Sequence, residues 1–211
     1  MSLLRAPDAI IDRMRRLLPH PAATISVREA YDVERPRPTD RPWVGLCMVM
    51  SVDGSTVVDT RSAALSSPTD TEVLHTLREL ADVIVVGAST VRLEGYGPPR
   101  KPGQRVGVIS RTGDGVDLTS PLFTSGAGFL ILPASAPERA VDTVRAGTDE
   151  LDLAEALGRL DADYVQAEGG ALLNASLAEA DLIDELDLTI SPQLAGGDGP
   201  RLLTGAPPIG R

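Results

Sequence analysis

The sequence predicts an α/β protein with a mostly parallel central sheet and helices on both faces. Short apolar runs rich in Val, Ile and Leu alternate along the chain with segments of helical periodicity. Polar or glycine-rich strand ends occur at three places: Asp53-Gly54, Gly87-Ala88-Ser89-Thr90 and Glu168-Gly169-Gly170. Because ligands of such sheets bind beyond the carboxyl ends of the strands, these three ends predict one shared site.

The composition argues against several classes of function. The 211 residues can form one domain with a sizeable core, and the net charge of −10 argues against general binding of nucleic acid or anionic membranes. With one cysteine and two histidines, the sequence cannot form an intrachain disulfide or a cysteine metal cluster, and no metal site is expected. No apolar run has the length of a membrane span or a signal-peptide core, so we expect a cytoplasmic protein.

The N-terminal sequence predicts a helix and a loop that precede the main domain. Apolar residues recur at helical spacing over residues 8–18, where Asp8 could cap a helix that Pro19 ends. Residues 32–42 are polar and rich in proline, as in a loop. We therefore expect a helix and proline-rich lead-in over residues 1–41, and the main domain over residues 42–211.

The sequence of the main domain predicts six strands. They cover residues 43–52, 82–87, 105–110, 128–132, 163–167 and 183–190. The first is apolar almost throughout, which suits a strand buried on both faces. The last alternates apolar with polar residues, which predicts a half-exposed strand that is antiparallel or at a sheet edge. The acids Asp181, Asp184, Glu185 and Asp187 are expected in water.

Helices are predicted between these strands. They cover residues 69–80, 88–92, 151–160 and 171–177, and the first has Ser67 or Thr69 as its N-cap. Residues 137–146 fit either a helix or a short strand, whereas residues 94–103 and 192–211 read as loops.

The stretch 164–174 is the clearest candidate for ligand binding. A strand ends at Glu168, two glycines follow, and a helical pattern begins at Ala171. Free N–H groups and the positive dipole end of a helix favour phosphate, and glycines allow close approach. An ordinary strand-to-helix turn would have the same pattern, so the residues alone leave both interpretations open.

These motifs, in this order, resemble the reductase domain of bacterial riboflavin biosynthesis, which has the dihydrofolate reductase-like fold. The matching segments are Met50-Ser51-Val52-Asp53-Gly54, residues 77–92, Glu168-Gly169-Gly170-Ala171-Leu172-Leu173, Leu182-Ile183-Asp184-Glu185-Leu186 and Ile190-Ser191-Pro192. The resemblance spans residues 42–205. It implies a three-layer α/β/α fold, a homodimer and a stand-alone reductase, because no zinc-ligand pattern of a deaminase precedes it.

The resemblance also implies an activity. Members reduce the ribosyl group of 5-amino-6-(5-phosphoribosylamino)uracil to ribityl with NADPH. The residues that resemble cofactor contacts are Val49, Gly87, Thr90, Gly169, Gly170, Ala171, Leu172, Leu173 and Asn174. Arg111 and Arg92 are candidates, by position only, for the 2′-phosphate.

On the substrate side, the resemblance implies four residues. Glu168 faces the substrate, Arg78 suits a phosphorylated ligand, Asp53 could bond a diaminopyrimidine ring, and Glu94 is a further substrate contact. No general acid is evident. Glu168 or Asp53, acting through a water molecule, are the catalytic candidates.

Departures from the family pattern leave alternatives open. Cys47 replaces a lysine, Ala64 replaces a tryptophan, and residues 94–98 replace an Asp-Asp-Pro motif. The family's last strand pair is missing after Pro192, so its place would be empty or filled by a partner unless the chain is truncated. The alternatives are a dihydrofolate or pterin reductase and a non-catalytic NADPH-binding protein. Cys47 and His75 are expected to be structural.

Overall fold

The computed structural model describes residues 13–205, and its main feature is a seven-stranded sheet. The strands are β3 (Trp43–Ser51), β4 (Val83–Gly87), β5 (Arg105–Ile109), β6 (Gly128–Leu132), β7 (Thr143–Arg145), β8 (Tyr164–Ala167) and β9 (Glu185–Ser191). Their order is β7-β6-β5-β4-β8-β3-β9, and every neighbouring pair is parallel. The predicted α/β class is confirmed.

Helices connect most of the strands. The helices of the main domain are α2 (Pro68–Leu80), α3 (Ala88–Glu94), α4 (Pro121–Thr124), α5 (Leu153–Gly158) and α6 (Ala171–Glu179). Ser67 caps α2 as expected, since its hydroxyl accepts a hydrogen bond from the Asp70 amide at 3.1 Å. The short α4 has no counterpart among the predicted helices.

The core lies in two layers, one on each face of the sheet. On one face, residues such as Val165 and Ala167 of β8 pack against α5 and α6. On the other face, Ile84 and Val86 of β4 pack against α3 and α4, and the α2 side chains Val73 and Leu77 form a third cluster. This arrangement is the predicted three-layer α/β/α architecture.

The predicted N-terminal helix is wrong where the structure describes it. Residues 13–16 form β1 (Arg13–Arg16), which pairs antiparallel with β2 (Ala22–Ser26), and α1 (Val27–Tyr31) follows. Met14 contributes to the cluster beside α2, so its burial is satisfied by a hairpin. The rest of the predicted helix, residues 8–12, lies outside the described residues.

The acids of β9 are not in water, which corrects the expected solvated face. Arg35 forms a two-pronged pair with Glu185 at 2.6 and 2.8 Å, and Arg41 pairs with Asp184 at 2.5 and 3.0 Å. Asp187 is buried. Two arginines of the lead-in therefore neutralise two of these acids, and the ion pairs hold the lead-in against the sheet. The sequence pattern does not predict this pairing.

The last strand confirms one of the two alternatives predicted for it. β9 is at the sheet edge, and it runs parallel to β3. The ambiguous segment 137–146 contains the short strand β7, parallel to β6 at the opposite edge. The alternation in β9 does not mark an apolar buried face, because Leu186 and Ile190 are exposed whereas Asp187 and Ser191 are buried.

Candidate functional site

A cleft of about 1830 Å³ opens at the carboxyl ends of β3, β4, β5 and β8. Its walls include residues from α2, the loop after α3, and the first turn of α6. Drug-sized ligands occupy roughly 300–1,000 Å³, so this space can hold a dinucleotide together with a second small molecule. The parallel sheet thus brings together strand ends that are far apart in sequence.

Glu168 is the buried acid of this cleft. It follows β8 directly, and its amide donates to the Val85 carbonyl at 2.9 Å, which extends the ladder with β4. Arg78 donates from Nε to one Glu168 carboxylate oxygen and from Nη2 to the other, both at 2.6 Å. Two of the four residues predicted to contact the substrate, Arg78 and Glu168, are therefore bound to each other.

Two further donors complete the environment of Glu168. Tyr96 donates its hydroxyl to Oε2 at 2.5 Å, and Gln166 donates from Nε2 to Oε1 at 2.9 Å. Glu168 and Gln166 are adjacent on the same face of β8 because side chains alternate along a strand. The Arg78 guanidinium also lies 5.4 Å from the centre of the Tyr96 ring.

The protonation states in this cluster are those of an ion pair with a neutral phenol. Burial alone lowers the pKa of Arg78, but its hydrogen bonds to Glu168 and the carboxylate charge outweigh burial and raise that pKa above its usual value. Burial and the neighbouring Glu168 charge raise the pKa of Tyr96 well above 10. Arg78 is therefore charged and Tyr96 is neutral across the physiological range.

The Gly169-Gly170 turn joins Glu168 to α6. Gly169 has φ +75°, which favours glycine, its carbonyl accepts from the Gly87 amide at 2.6 Å, and the Gly169–Gly170 peptide is cis. A Cβ added at Gly170 would lie 2.8 Å from the Thr90 hydroxyl oxygen. The turn is thus packed too closely for larger residues.

The first turn of α6 has free backbone donors. Gly170 is the N-cap residue, and no side chain from residues 13–205 caps the helix. Buried Asn174 donates to the Leu202 carbonyl at 2.9 Å, while its Oδ1 has no hydrogen-bond partner in the part of the chain that the structure describes. An uncapped N-terminus that borders a cleft suits an anionic ligand.

Most of the predicted cofactor contacts line the cleft. Those that do so are Val49, Gly87, Thr90, Gly170, Ala171, Leu172 and Leu173. Gly169 and Asn174 lie directly behind this wall, since a Cβ on Gly169 would be 3.2 Å from Asn174 Oδ1. The structure therefore collects the predicted set in one place, and their contact with a cofactor stays a prediction.

Asp53 is placed elsewhere. Its carboxylate accepts hydrogen bonds from the Ser51 hydroxyl at 2.5 Å and from the amides of Ala195 and Gly196 at 3.0 and 2.8 Å. These bonds hold the pKa of Asp53 well below its usual value. The described residues that line the cleft do not include Asp53, so its geometry supports anchoring of the C-terminal loop and not catalysis.

Glu94 is at the cleft but is already engaged. Its Oε1 accepts from the Ser62 amide at 2.9 Å, which ties the end of α3 to the loop before α2. Glu94 lines the cleft, as Tyr96 does. The prediction that Glu94 contacts substrate therefore remains, next to a structural role that the sequence did not indicate.

Sequence reasoning missed Tyr96 and Gln166 as members of the site. The alternation of β8 places Gln166 on the Glu168 face, so that residue could have been found from strand periodicity. Tyr96 lies in a glycine- and proline-rich loop without periodicity, and only the fold brings it to Glu168. Cys47 also lines the cleft, and burial followed by the Glu168 charge raises the pKa of its thiol.

Residues 13–205 contain neither a helix that could span a membrane nor a cluster of side chains that could bind a metal ion. None of the described helices is both long and apolar enough to cross a membrane. No group of three or more His, Cys, Asp or Glu side chains that could hold a metal ion occurs in the described part of the chain.

The fold and the cleft define an α/β protein with a glycine turn and an uncapped helix N-terminus beside a buried Arg–Glu pair. The family profile of the RibD C-terminal domain matches residues 42–209, most of the chain, and the chain belongs to this family. A relative from Methanothermobacter thermautotrophicus, 2,5-diamino-6-ribosylamino-4(3H)-pyrimidinone 5′-phosphate reductase, is 32% identical over 183 residues, with 77% of this chain and 83% of the relative covered.

Solved structures share the fold. A pyrimidine reductase-like protein from Corynebacterium diphtheriae has a TM-score of 0.63 at 24% identity, with 74% of this chain and 76% of that protein covered. The riboflavin biosynthesis reductase Rib7 of Saccharomyces cerevisiae has a TM-score of 0.63 at 23% identity, and the match covers 82% of each chain. RibD of Acinetobacter baumannii has a TM-score of 0.68 at 19% identity, and the match covers 81% of this chain but 52% of RibD. The resemblance seen in the sequence is confirmed.

Proposed function

We propose that this protein is an NADPH-dependent reductase of a phosphoribosylaminopyrimidine, converting its ribosyl group to ribityl. The observation that carries the proposal is that one cleft contains both an uncapped helix N-terminus behind a glycine turn and the buried Arg78–Glu168 pair. The first suits a dinucleotide pyrophosphate. The second suits a polyhydroxylated substrate, because a carboxylate accepts hydrogen bonds from hydroxyl and amino groups.

The residues present fit NADPH. Gly170 and the first turn of α6 would hold the pyrophosphate, the Thr90 hydroxyl is 2.8 Å from the position of a Cβ on Gly170, and Val49 borders the cleft from β3. When bound, the nicotinamide would supply the hydride. The chain's own residues bind and orient both ligands and keep Glu168 out of water.

Preference for NADPH over NADH requires a cation near the ribose of the adenosine. Arg111 is exposed at the carboxyl end of β5 and borders the cleft, as does Arg92 from α3. Arg92 donates to the Ser89 hydroxyl at 3.2 Å, whereas Arg111 extends from a turn. We propose Arg111 as the 2′-phosphate contact, and Arg111→Glu should lower the affinity for NADPH much more than that for NADH.

The substrate phosphate requires positive charge that is not already neutralised. Arg78 is engaged by Glu168, so we assign the phosphate to Arg100 and His75, whose side-chain nitrogens are 3.5 Å apart at the cleft wall. Burial, followed by the charges of Arg100 and Arg78, lowers the pKa of His75, while Glu72 and Glu79 oppose the shift. A bound phosphate should raise that pKa, and the histidine NMR signal during a phosphate titration tests this assignment.

The direct test follows NADPH oxidation at the reduced-nicotinamide absorption band. The substrates are 5-amino-6-(5-phosphoribosylamino)uracil, the diaminopyrimidinone substrate named for the archaeal relative, and dihydrofolate. Turnover of either phosphoribosyl compound supports the proposal and identifies the preferred ring. Turnover of dihydrofolate alone, or NADPH binding without turnover, would overturn it in favour of a pterin reductase or a binding protein.

We further propose a cytoplasmic homodimer, as the family resemblance implies. The edge strand β9 has two exposed apolar side chains, Leu186 and Ile190, which a second subunit could cover. Light scattering on the purified protein would distinguish a dimer of about twice 22.2 kDa from a monomer.

A further inference from the structure

The carboxylate of Glu168 has no acceptor position left for a ligand. Arg78 supplies two donors, Gln166 supplies one, and Tyr96 supplies one. An ionised carboxylate has about four lone-pair positions, and all four are filled. A substrate group can therefore bond to Glu168 only if one of these donors leaves.

The four bonds differ in how firmly their donors are held. Gln166 is in the middle of the sheet and fully buried, and Arg78 is in the last turn of α2, where its two parallel bonds fix its orientation. Tyr96 belongs to the loop after α3. The flanking Gly95 and Gly97 are exposed, and neither would contact anything within 4 Å through an added Cβ. The Tyr96 ring packs against the core cluster that contains Ile84 and Val86, but its loop is outside the helices and strands. Its hydroxyl is therefore the donor whose displacement disturbs the fold least.

We infer that the Tyr96 hydroxyl is a placeholder for the substrate: it bonds to Glu168 Oε2 in the free protein, and a hydroxyl or amino group of the substrate replaces it. This inference rests on the proposed function and names Tyr96 as a residue that determines specificity. It requires a hydrogen-bond donor at this position of the substrate. A phosphate or carboxylate group would be repelled by Glu168 there.

The first experiment compares Tyr96→Phe with wild-type protein. The variant keeps the ring beside Arg78 but removes the competing hydroxyl, so the KM for the phosphoribosylaminopyrimidine should fall about three- to ten-fold with kcat nearly unchanged. Tyr164→Phe is the matched control, because its buried hydroxyl has no partner among the described residues and lies away from the cleft. Its KM should equal that of wild type.

The second experiment observes Tyr96 directly in the wild-type protein. The sequence has only three tyrosines, so ζ-¹³C-tyrosine labelling gives three NMR signals, and Tyr96→Phe identifies one of them. Substrate added to the protein with NADP⁺ should shift the Tyr96 signal and leave the Tyr31 and Tyr164 signals in place.

The outcomes separate this inference from the proposed function. Turnover by wild type with an unchanged or raised KM in Tyr96→Phe, or an unshifted Tyr96 signal, would overturn the placeholder role and leave the reductase assignment intact. Absence of turnover by wild type on any phosphoribosylaminopyrimidine would overturn the proposed function, and this inference with it.

Discussion

Arg78 and Glu168, which are 90 residues apart in sequence, form a two-pronged ion pair with both N–O distances at 2.6 Å. The Glu168 side chain is 3% exposed and that of Arg78 is 28% exposed, so little water screens the pair. The pair joins the end of α2 to the end of β8. It therefore contributes both to the stability of the domain and to the shape of the cleft.

Glu168→Gln should impair both properties. The amide group keeps the shape of the carboxylate but directs N–H donors at the Arg78 and Tyr96 donors. We expect the free energy of unfolding to fall by about 2 kcal/mol, less than for a fully buried pair because Arg78 reaches water. Reduction of the pyrimidine should fall roughly 100-fold or more. Urea denaturation and NADPH oxidation measure these effects.

Glu179→Gln is the matched control for that substitution, since Glu179 is exposed on α6. It should change neither the unfolding free energy nor the turnover. Equal stability of Glu168→Gln and wild type would show that the Arg78–Glu168 pair contributes nothing to folding.

Gly170→Ala should weaken cofactor binding. The new Cβ would be 2.8 Å from the Thr90 hydroxyl oxygen and would enter the space in front of the α6 N-terminus. We expect NADPH affinity to fall roughly ten-fold or more, because the pyrophosphate can no longer approach the backbone. Fluorescence titration with NADPH provides the measurement.

Two variants identify the cause of that effect. Gly97→Ala is a control with no atom within 4 Å of the new Cβ, and its NADPH affinity should match wild type. Combining Gly170→Ala with Thr90→Ala removes the contact inside the protein, and Thr90→Ala alone is the reference because Thr90 is itself a predicted cofactor contact. If the double variant recovers the melting temperature but binds NADPH more weakly than Thr90→Ala does, the new Cβ obstructs the cofactor directly. An affinity equal to that of Thr90→Ala would refute obstruction.

Arg35→Ala should loosen the lead-in from the sheet. The Arg35 side chain is 6% exposed, its guanidinium is 4.5 Å from the centre of the Tyr164 ring, and it pairs with Glu185. Its removal leaves Glu185 with the Trp43 indole donor at 3.1 Å, so we expect a loss of about 2–3 kcal/mol. Trp43, the single tryptophan, reports the urea transition by fluorescence.

Arg37→Ala provides the comparison within the same segment. Arg37 pairs with Asp163, but their side chains are 45% and 78% exposed. A pair this open to solvent should contribute less than about 0.5 kcal/mol. Equal destabilisation by Arg35→Ala and Arg37→Ala would mean that burial does not control these ion pairs.

The parts of the fold that depend on local pattern could be predicted from the sequence. Continuous apolar character predicts the boundaries of β3 and β4 to within one residue, and the Ser67 cap predicts the start of α2. The first residues failed because the helical spacing of Met14 is compatible with a hairpin once a partner strand is present. The choice between them depends on contacts far along the chain.

The residues of the candidate site also divide into those that a local sequence pattern predicts and those that depend on the fold. Gly170 and Thr90 follow from strand ends and were predicted, because each end has its own local signal. The binding of Arg78 to Glu168, the role of Tyr96 and the diversion of Asp53 to the C-terminal loop depend on which loops meet in space. Single-sequence patterns contain no information on those contacts, so they do not indicate that the Asp53 carboxylate accepts hydrogen bonds from the Ala195 and Gly196 amides.

Asp187 should make the stability of the protein depend on pH. It is buried on β9, and its Oδ2 has no hydrogen-bond partner within the described residues. Burial, followed by the charge of Glu185, raises the pKa of Asp187 to about 7, although the Arg35 charge opposes this. Tyr31, Cys47 and Tyr164 also lie within its electrostatic reach. In the unfolded chain the pKa of Asp is about 3.9.

The direction of the effect follows from proton binding. Between pH 4 and pH 7, the folded state holds a proton on Asp187 that the unfolded state has lost, so this group makes the protein less stable as pH rises towards about 7. Asp187→Asn removes the titration. Relative to wild type, the variant should gain about 2–3 kcal/mol between pH 5 and pH 8 in urea denaturation. Asp198→Asn, an exposed control, should give a difference that is independent of pH. Parallel wild-type and Asp187→Asn stability curves across this range would show that Asp187 is ionised in the folded state throughout.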